Sequence, residues 1–219
     1  MVAPLTGKAI ILDLIEDFID GIQDVIKDLS IEALRWRPDA EANSIGLTLW
    51  HISRVVDVFK TRLLEGKSPD DELWHLNGWR DKTGYDPRGI GWDGFGNLAG
   101  YTQAEVADVP LLSAKEHLTY FEQTTKALLG WIEATSDDEL HQISLGFSEE
   151  EMTAYQWLKY GILIDLREHL GEIKALKAIW ARRENNDKAE SDENACKKEP
   201  RNDSAVALAT KRARITVCL

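Results

Sequence analysis

Asp165 and His169 belong to the series Leu158, Ile162, Asp165, His169, Ile173, Leu176 and Trp180, whose members are three or four residues apart. Such a series lies on one helix face, so a carboxylate and an imidazole share an otherwise apolar stripe. A buried carboxylate is costly unless it is paired, hydrogen-bonded or bound to a metal. With Cβ atoms about 5–6 Å apart, residues at this spacing can converge on a single ion. His51, in Leu49-Trp50-His51-Ile52, is the candidate third ligand, because helix bundles build metal sites from facing helices. Two imidazoles and one carboxylate suit zinc with an open fourth position, or iron, nickel or manganese. Glu172, one turn beyond His169, could hydrogen-bond an outer-shell group or add a ligand. The same residues also admit a plainer arrangement, an internal Asp165–His169 pair with His51 packed elsewhere.

Four helical segments must carry these side chains. Ile11, Ile15, Phe18, Ile22, Val25 and Leu29 mark the first, from about Lys8 to Leu29. Asn43-Ser44 offers an N-cap to the second, which carries Ile45, Leu49, Ile52, Val56, Phe59 and Leu63 before Gly66. Capping boxes open the other two, at Ser113-Ala114-Lys115-Glu116 and at Thr153-Ala154-Tyr155-Gln156; these run to about Ala134 and Arg183. No segment shows the sustained alternation of a strand, so the expected fold is an all-α four-helix bundle. A long connection, Glu65 to about Pro110, joins the second and third helices. It interleaves Trp74, Trp79, Tyr85, Trp92, Phe95 and Tyr101 with glycines. So many aromatics are unfavourable in water, which predicts a structured crossover that packs on the bundle and could also wall a pocket.

Bulk composition narrows the function classes. The 219 residues hold 38 acidic and 26 basic side chains, a formal charge of −12, which disfavours nucleic acid and anionic membrane as partners. No run approaches the roughly 18 apolar residues of a membrane span, and Asp13, Glu16 and Asp17 break any signal-peptide core. Cys196 and Cys218 are the only cysteines, so the core has no disulfide framework and a cytoplasmic location is expected. The domain is expected over 1–183. From Glu184 on, the chain lacks aromatics and is net neutral, which predicts a disordered tail; its Lys211-Arg212-Ala213-Arg214 patch reads as solvated. Among the other histidines, His117 in the first turn of the third helix is expected to face solvent. His141 is an incidental loop residue, and His75, beside Trp74, is the one outsider that could reach a pocket. No nucleophile triad, phosphate loop or dinucleotide fingerprint is present.

The segment Asn43-Ser44-Ile45-Gly46-Leu47-Thr48-Leu49-Trp50-His51-Ile52-Ser53-Arg54-Val55-Val56-Asp57 resembles the second-helix signature of the DinB-like superfamily. Asp165-Leu166-Arg167-Glu168-His169-Leu170-Gly171-Glu172-Ile173 resembles that family's last-helix motif, and Gly78-Trp79 is similar to an actinobacterial-type branch. The likeness spans roughly residues 8 to 183. It implies a divalent metal ion held by one residue of helix two and two residues of helix four. Many relatives use three histidines; here His51 and His169 take the outer places, Asp165 stands for the middle histidine and Glu172 for the usual glutamine. The resemblance further implies a thiol S-transferase using a low-molecular-weight thiol and a small electrophilic substrate, and a homodimer. Metal-assisted hydrolysis, with Glu172 or Glu168 as base, and a non-catalytic metal- or ligand-binding bundle are the alternatives.

Overall fold

The structure, a computed structural model, describes residues 6–144 and 151–198. The described part of its compact unit, Met1–Ala181, is mostly helical. The first long helix, α1 (Gly7–Ile26), is capped by the Thr6 side chain and buries Ile11, Ile15, Phe18, Ile22 and Val25, the expected stripe. A short α2 (Ile31–Arg35), capped by Ser30, leads into α3 (Ile45–Val58), which starts on the Ser44 cap. After Val58 the same rod continues as a wider π-helical stretch, Phe59–Leu64. The third long helix, α7 (Ala114–Ala134), begins with the Ser113/Glu116 box and is followed by the one-turn α8 (Asp137–Leu140). The fourth starts from the Thr153/Gln156 box as α9 (Ala154–Gln156), passes through a second π stretch, Trp157–Ile164, and becomes α10 (Asp165–Lys198).

One core joins these rods. Ile15, Phe18 and Ile22 of α1, Ile52 and Val56 of α3, Phe121 and Leu128 of α7, and Leu158, Ile162 and Ile173 of the fourth rod all pack in it. Helix ends are tied across the core: the Lys8 ammonium donates to the Glu133 and Thr135 carbonyls, and Lys177 donates to the Val25 carbonyl. Each lysine thereby satisfies C-terminal carbonyls that the helix itself leaves open. The two π stretches meet at Gly161, where a Cβ would stand 2.4 Å from Phe59 Cε2, so only glycine allows the approach. The only strands among the described residues are the two-residue pair β1 (Ile143–Ser144) and β2 (Met152–Thr153). No described helix is long and apolar enough to cross a membrane.

The connection between the second and third rods is structured. It carries α4 (Leu73–Leu76), α5 (Trp79–Thr83) and α6 (Gln103–Asp108). Trp74 and Trp79 pack with Trp50 of α3 and Tyr120 of α7 in a second apolar cluster. With the core on one side and this aromatic layer on the other, every residue of α3 except His51 is buried.

Two expectations are corrected. Helix α10 does not stop near Arg183 but runs on to Lys198, so the stretch expected to be disordered from Glu184 is helical that far. No glycine or proline interrupts Glu172–Glu199, the segment is rich in alanine, glutamate and lysine, and Arg183 pairs with Asp187 one turn on. The Lys211–Arg214 patch and Cys218 lie outside the described residues. His117, expected to face solvent, is only 2% exposed. It continues the inward stripe Phe121, Thr124, Leu128 and Ile132, a period that overrides its place in the first turn.

Among the described residues neither His117 ring nitrogen has a hydrogen-bond partner, and burial pushes its pKa down to about 4 from the ordinary 6.5. A histidine with a lowered folded pKa leaves the unfolded chain binding the extra proton, so stability falls as pH drops from about 6.5 towards 4. This single group is predicted to remove roughly 2–3 kcal/mol between pH 7 and 4.5. Urea midpoints of wild type and His117→Leu across that range check it. The variant should lose markedly less stability, and parallel curves would show that His117 stays neutral in both states.

Candidate metal centre

Three elements bring the site together. His51 projects from α3 as its one incompletely buried residue. Asp165 opens α10, directly after the π stretch, and His169 follows one turn later. One donor atom from each of the three lies within 4.8 Å of the other two. His51 Nε2 is 3.8 Å from Asp165 Oδ2, and His169 Nε2 is 3.6 Å from Asp165 Oδ1. The two imidazoles meet edge to face, with centroids 4.7 Å apart. The plainer arrangement, with His51 packed elsewhere, is therefore not the one found.

The outer nitrogens are both engaged, which directs the inner ones. His51 Nδ1 contacts the Asn97 carbonyl. A carbonyl only accepts, so Nδ1 carries the proton and Nε2 presents its lone pair towards Asp165. Burial pushes the His51 pKa below its usual value and keeps the ring neutral. His169 Nδ1 lies 2.8 Å from Glu172 Oε2. Hydrogen bonding to Asp165 and then to Glu172 raises the His169 pKa to about 9, while the Glu172 carboxyl is held low chiefly by His169. In the ion-free protein His169 is thus a cation between two carboxylates. A metal ion would replace that proton at the same Nε2.

Two observations test whether the residues fit an ion. Asp165 Oδ2 is buried and has no hydrogen-bond partner among the described residues, an orphaned acceptor at the point where the imidazoles converge. The set is two imidazole nitrogens plus one carboxylate oxygen, with hydrogen-bonded outer nitrogens of the kind that orient metal ligands. The two nitrogen–carboxylate separations, 3.8 and 3.6 Å, exceed by only a few tenths of an ångström those between donors set tetrahedrally around an ion with bonds of roughly 2.0–2.2 Å.

A cavity of about 560 Å³ is lined in part by His51 and Asp165, though not by His169. Its walls include Val55, Phe59, Phe95 and Gly161, with Trp92, Asp93 and Tyr160 completing the lining. Trp92 is 70% and Tyr160 51% exposed, so these two rings form the rim on the solvent side. Asp93 sits in the left-handed region at φ 51, unusual for a residue with a side chain. Within the connection, Trp74 and Trp79 pack with Trp50 and Tyr120, while Trp92 and Phe95 line the cavity.

A family model of the DinB superfamily matches residues 15–173, a span holding all three candidate ligands. The chain belongs to the DinB superfamily. Its fold is similar to that of a crystal structure of a conserved protein from Enterococcus faecalis, with a TM-score of 0.65 at 13% identity. That likeness covers 80% of this chain and 96% of the other. No curated protein matches the chain.

Within this DinB chain the remaining histidines stay apart from the site. His75 faces Glu72 and Asp86 at 3.8 Å each and does not line the cavity. His141 stacks on Tyr155. Glu168 is exposed and also absent from the lining. Sequence reasoning missed Asp93, Asn97 and the buried Arg54 and Glu72. Arg54 and Asp57 did carry a signal: they are charges inside the apolar run Leu49–Phe59, where each must find a buried partner. Asn97 acts through its main-chain carbonyl, which no residue type betrays.

Proposed function

We propose that this DinB-superfamily protein is a metal-dependent thiol S-transferase whose divalent ion is held by His51, Asp165 and His169. The observation that carries the reading is the convergence of one donor atom each from His51, Asp165 and His169 beside a 560 Å³ cavity that His51 and Asp165 line, with Asp165 Oδ2 left without a hydrogen-bond partner among the described residues. An ion held there supplies Lewis acidity that keeps the sulfur of a low-molecular-weight thiol as the nucleophilic thiolate at neutral pH. The chain's own groups do the rest. Asn97 and Glu172 orient the two imidazoles, and Val55, Phe59, Phe95 and Trp92 give an apolar wall for a small electrophilic substrate. Volumes of roughly 300–1,000 Å³ suit small-molecule sites, so both reactants have room. The four long rods are read as a four-helix bundle of the actinobacterial-type branch, acting as a homodimer in the cytoplasm, where such thiols stay reduced.

The hydrolytic alternative is less well supported, because Glu172 is committed to His169 and Glu168 does not line the cavity. The non-catalytic reading predicts a saturated or occluded site, whereas a cavity here is lined by His51 and Asp165. Cobalt substitution tests the thiol reading. A panel of bacterial thiols added to the cobalt-loaded protein is expected to produce a sulfur-to-cobalt charge-transfer band with at least one of them. A spectrum unchanged by every thiol would sink the mechanism.

A further inference from the structure

Four successive carbonyls of the connection are gripped by side chains of the second rod. Arg62 Nη1 donates to Gly94 O at 3.1 Å, Arg54 Nη2 to Phe95 O at 3.1 Å, and Arg54 Nε to Gly96 O at 3.2 Å. The next carbonyl, Asn97 O, is the one that accepts from His51 Nδ1. Glu72 bridges the two arginines, with Oε2 2.9 Å from Arg54 Nη2 and Oε1 on Arg62 Nε. Asp57 completes the anchor by accepting from the Leu73 and Trp74 amides at 2.8 and 2.9 Å and from the Tyr120 hydroxyl at 2.8 Å. Arg54, Asp57 and Glu72 are wholly buried, so solvent cannot substitute for any of these partners.

The gripped backbone would not hold this course unaided. Gly94, Gly96 and Leu98 all have positive φ, at 64°, 60° and 79°, and a Cβ on residue 96 would meet Pro87 O at 2.0 Å. A loop in such conformations persists only where its surroundings fix it. The loop in turn decides which His51 nitrogen carries the proton, because Asn97 O is the acceptor at Nδ1.

We infer that Arg54 and Arg62 are positioning residues for the metal centre: by clasping carbonyls 94 to 96 they set Asn97 O on His51 and so aim His51 Nε2 at the ion. The inference rests on the metal-site reading of His51. It also makes the clasp the holder of the cavity wall, since Trp92, Phe95 and Ala99 stand on the same loop.

The test uses the full chain with Arg62→Met, Arg62→Lys and Arg54→Lys. Two quantities are read: the zinc dissociation constant by chelator competition, and the His51 tautomer in ion-free protein by imidazole nitrogen NMR. Circular dichroism checks that each variant is folded. Arg62→Met is the safe variant, because that side chain is already 12% exposed. It is expected to weaken zinc binding about tenfold, within the range for outer-shell changes, and to turn a single Nδ1–H tautomer into a mixture. Arg54→Lys, which loses the fork, should do so more strongly, and Arg62→Lys should recover most of the wild-type behaviour. Unchanged affinity and tautomer in Arg62→Met and Arg54→Lys overturn the inference, as does weaker zinc binding with the tautomer unmoved. If the wild type takes up no zinc, the affinity arm is run with nickel, manganese or iron, and a wild type that binds none of the four fails the metal reading itself. The NMR arm still decides whether the clasp sets His51.

Discussion

Protein purified without a metal-chelating tag is expected to carry about one equivalent of a divalent ion, and the His51→Ala and His169→Ala variants are expected to carry essentially none. The size of the effect follows from the ligand count. With three protein donors, removing one leaves two, and the loss should exceed the roughly 10–100-fold that an outer-shell change costs. Asp165→Asn is the instructive companion. It keeps an oxygen donor and the volume but removes the charge that balances the ion, so it should weaken binding without abolishing it. Elemental analysis of the four proteins side by side decides the matter, and which of zinc, nickel, manganese and iron is present names the ion. A wild type that arrives empty and ignores all four would leave Asp165 and His169 as a polar pair, and the non-catalytic reading would lead.

The second large effect concerns stability. Arg54→Met is predicted to cost about 3–5 kcal/mol, because it removes the buried guanidinium that pairs with both carboxylates, leaving Asp57 with no cationic partner and Glu72 with Arg62 alone, at positions with no exposed surface. Domains of this kind are held by only about 5–15 kcal/mol, so the variant should show a far lower urea midpoint or fail to fold at 37 °C. Adding Glu72→Gln to Arg54→Met removes one of the two buried carboxylate charges and should recover part of the loss, a coupling that a double-mutant cycle reads directly. A loss under about 1 kcal/mol for Arg54→Met alone would mean that the two carboxylates are not ionised when buried.

Much of the candidate site could be read in advance, for reasons of geometry. The stripe from Leu158 to Trp180 placed Asp165 and His169 on one face because helical period needs only spacing, and both capping boxes fell where Ser113 and Thr153 put them. Residues that act through long-range partners could not be read so. Glu72 matters because Arg54 and Arg62 meet on it across the connection, and sequence separation hides such meetings. The extension of α10 was missed for another reason. Polar composition alone points to disorder, yet a chain of good helix formers continues a rod already nucleated by packing.

The π stretch before Asp165 separates two jobs that an ordinary helix would fuse. Spacing along α10 fixes how far His169 stands from Asp165, whatever precedes them. The heading of that pair around the rod is set upstream, by how many residues Trp157–Ile164 spends on its wide turns. One residue more or fewer there would swing both ligands by roughly 100° together, without altering the distance between them. Gly161, pressed on Phe59, pins that segment. The ligand pair thus behaves like a key cut once and turned separately, and its aim towards His51 is governed by eight residues that donate nothing to the ion.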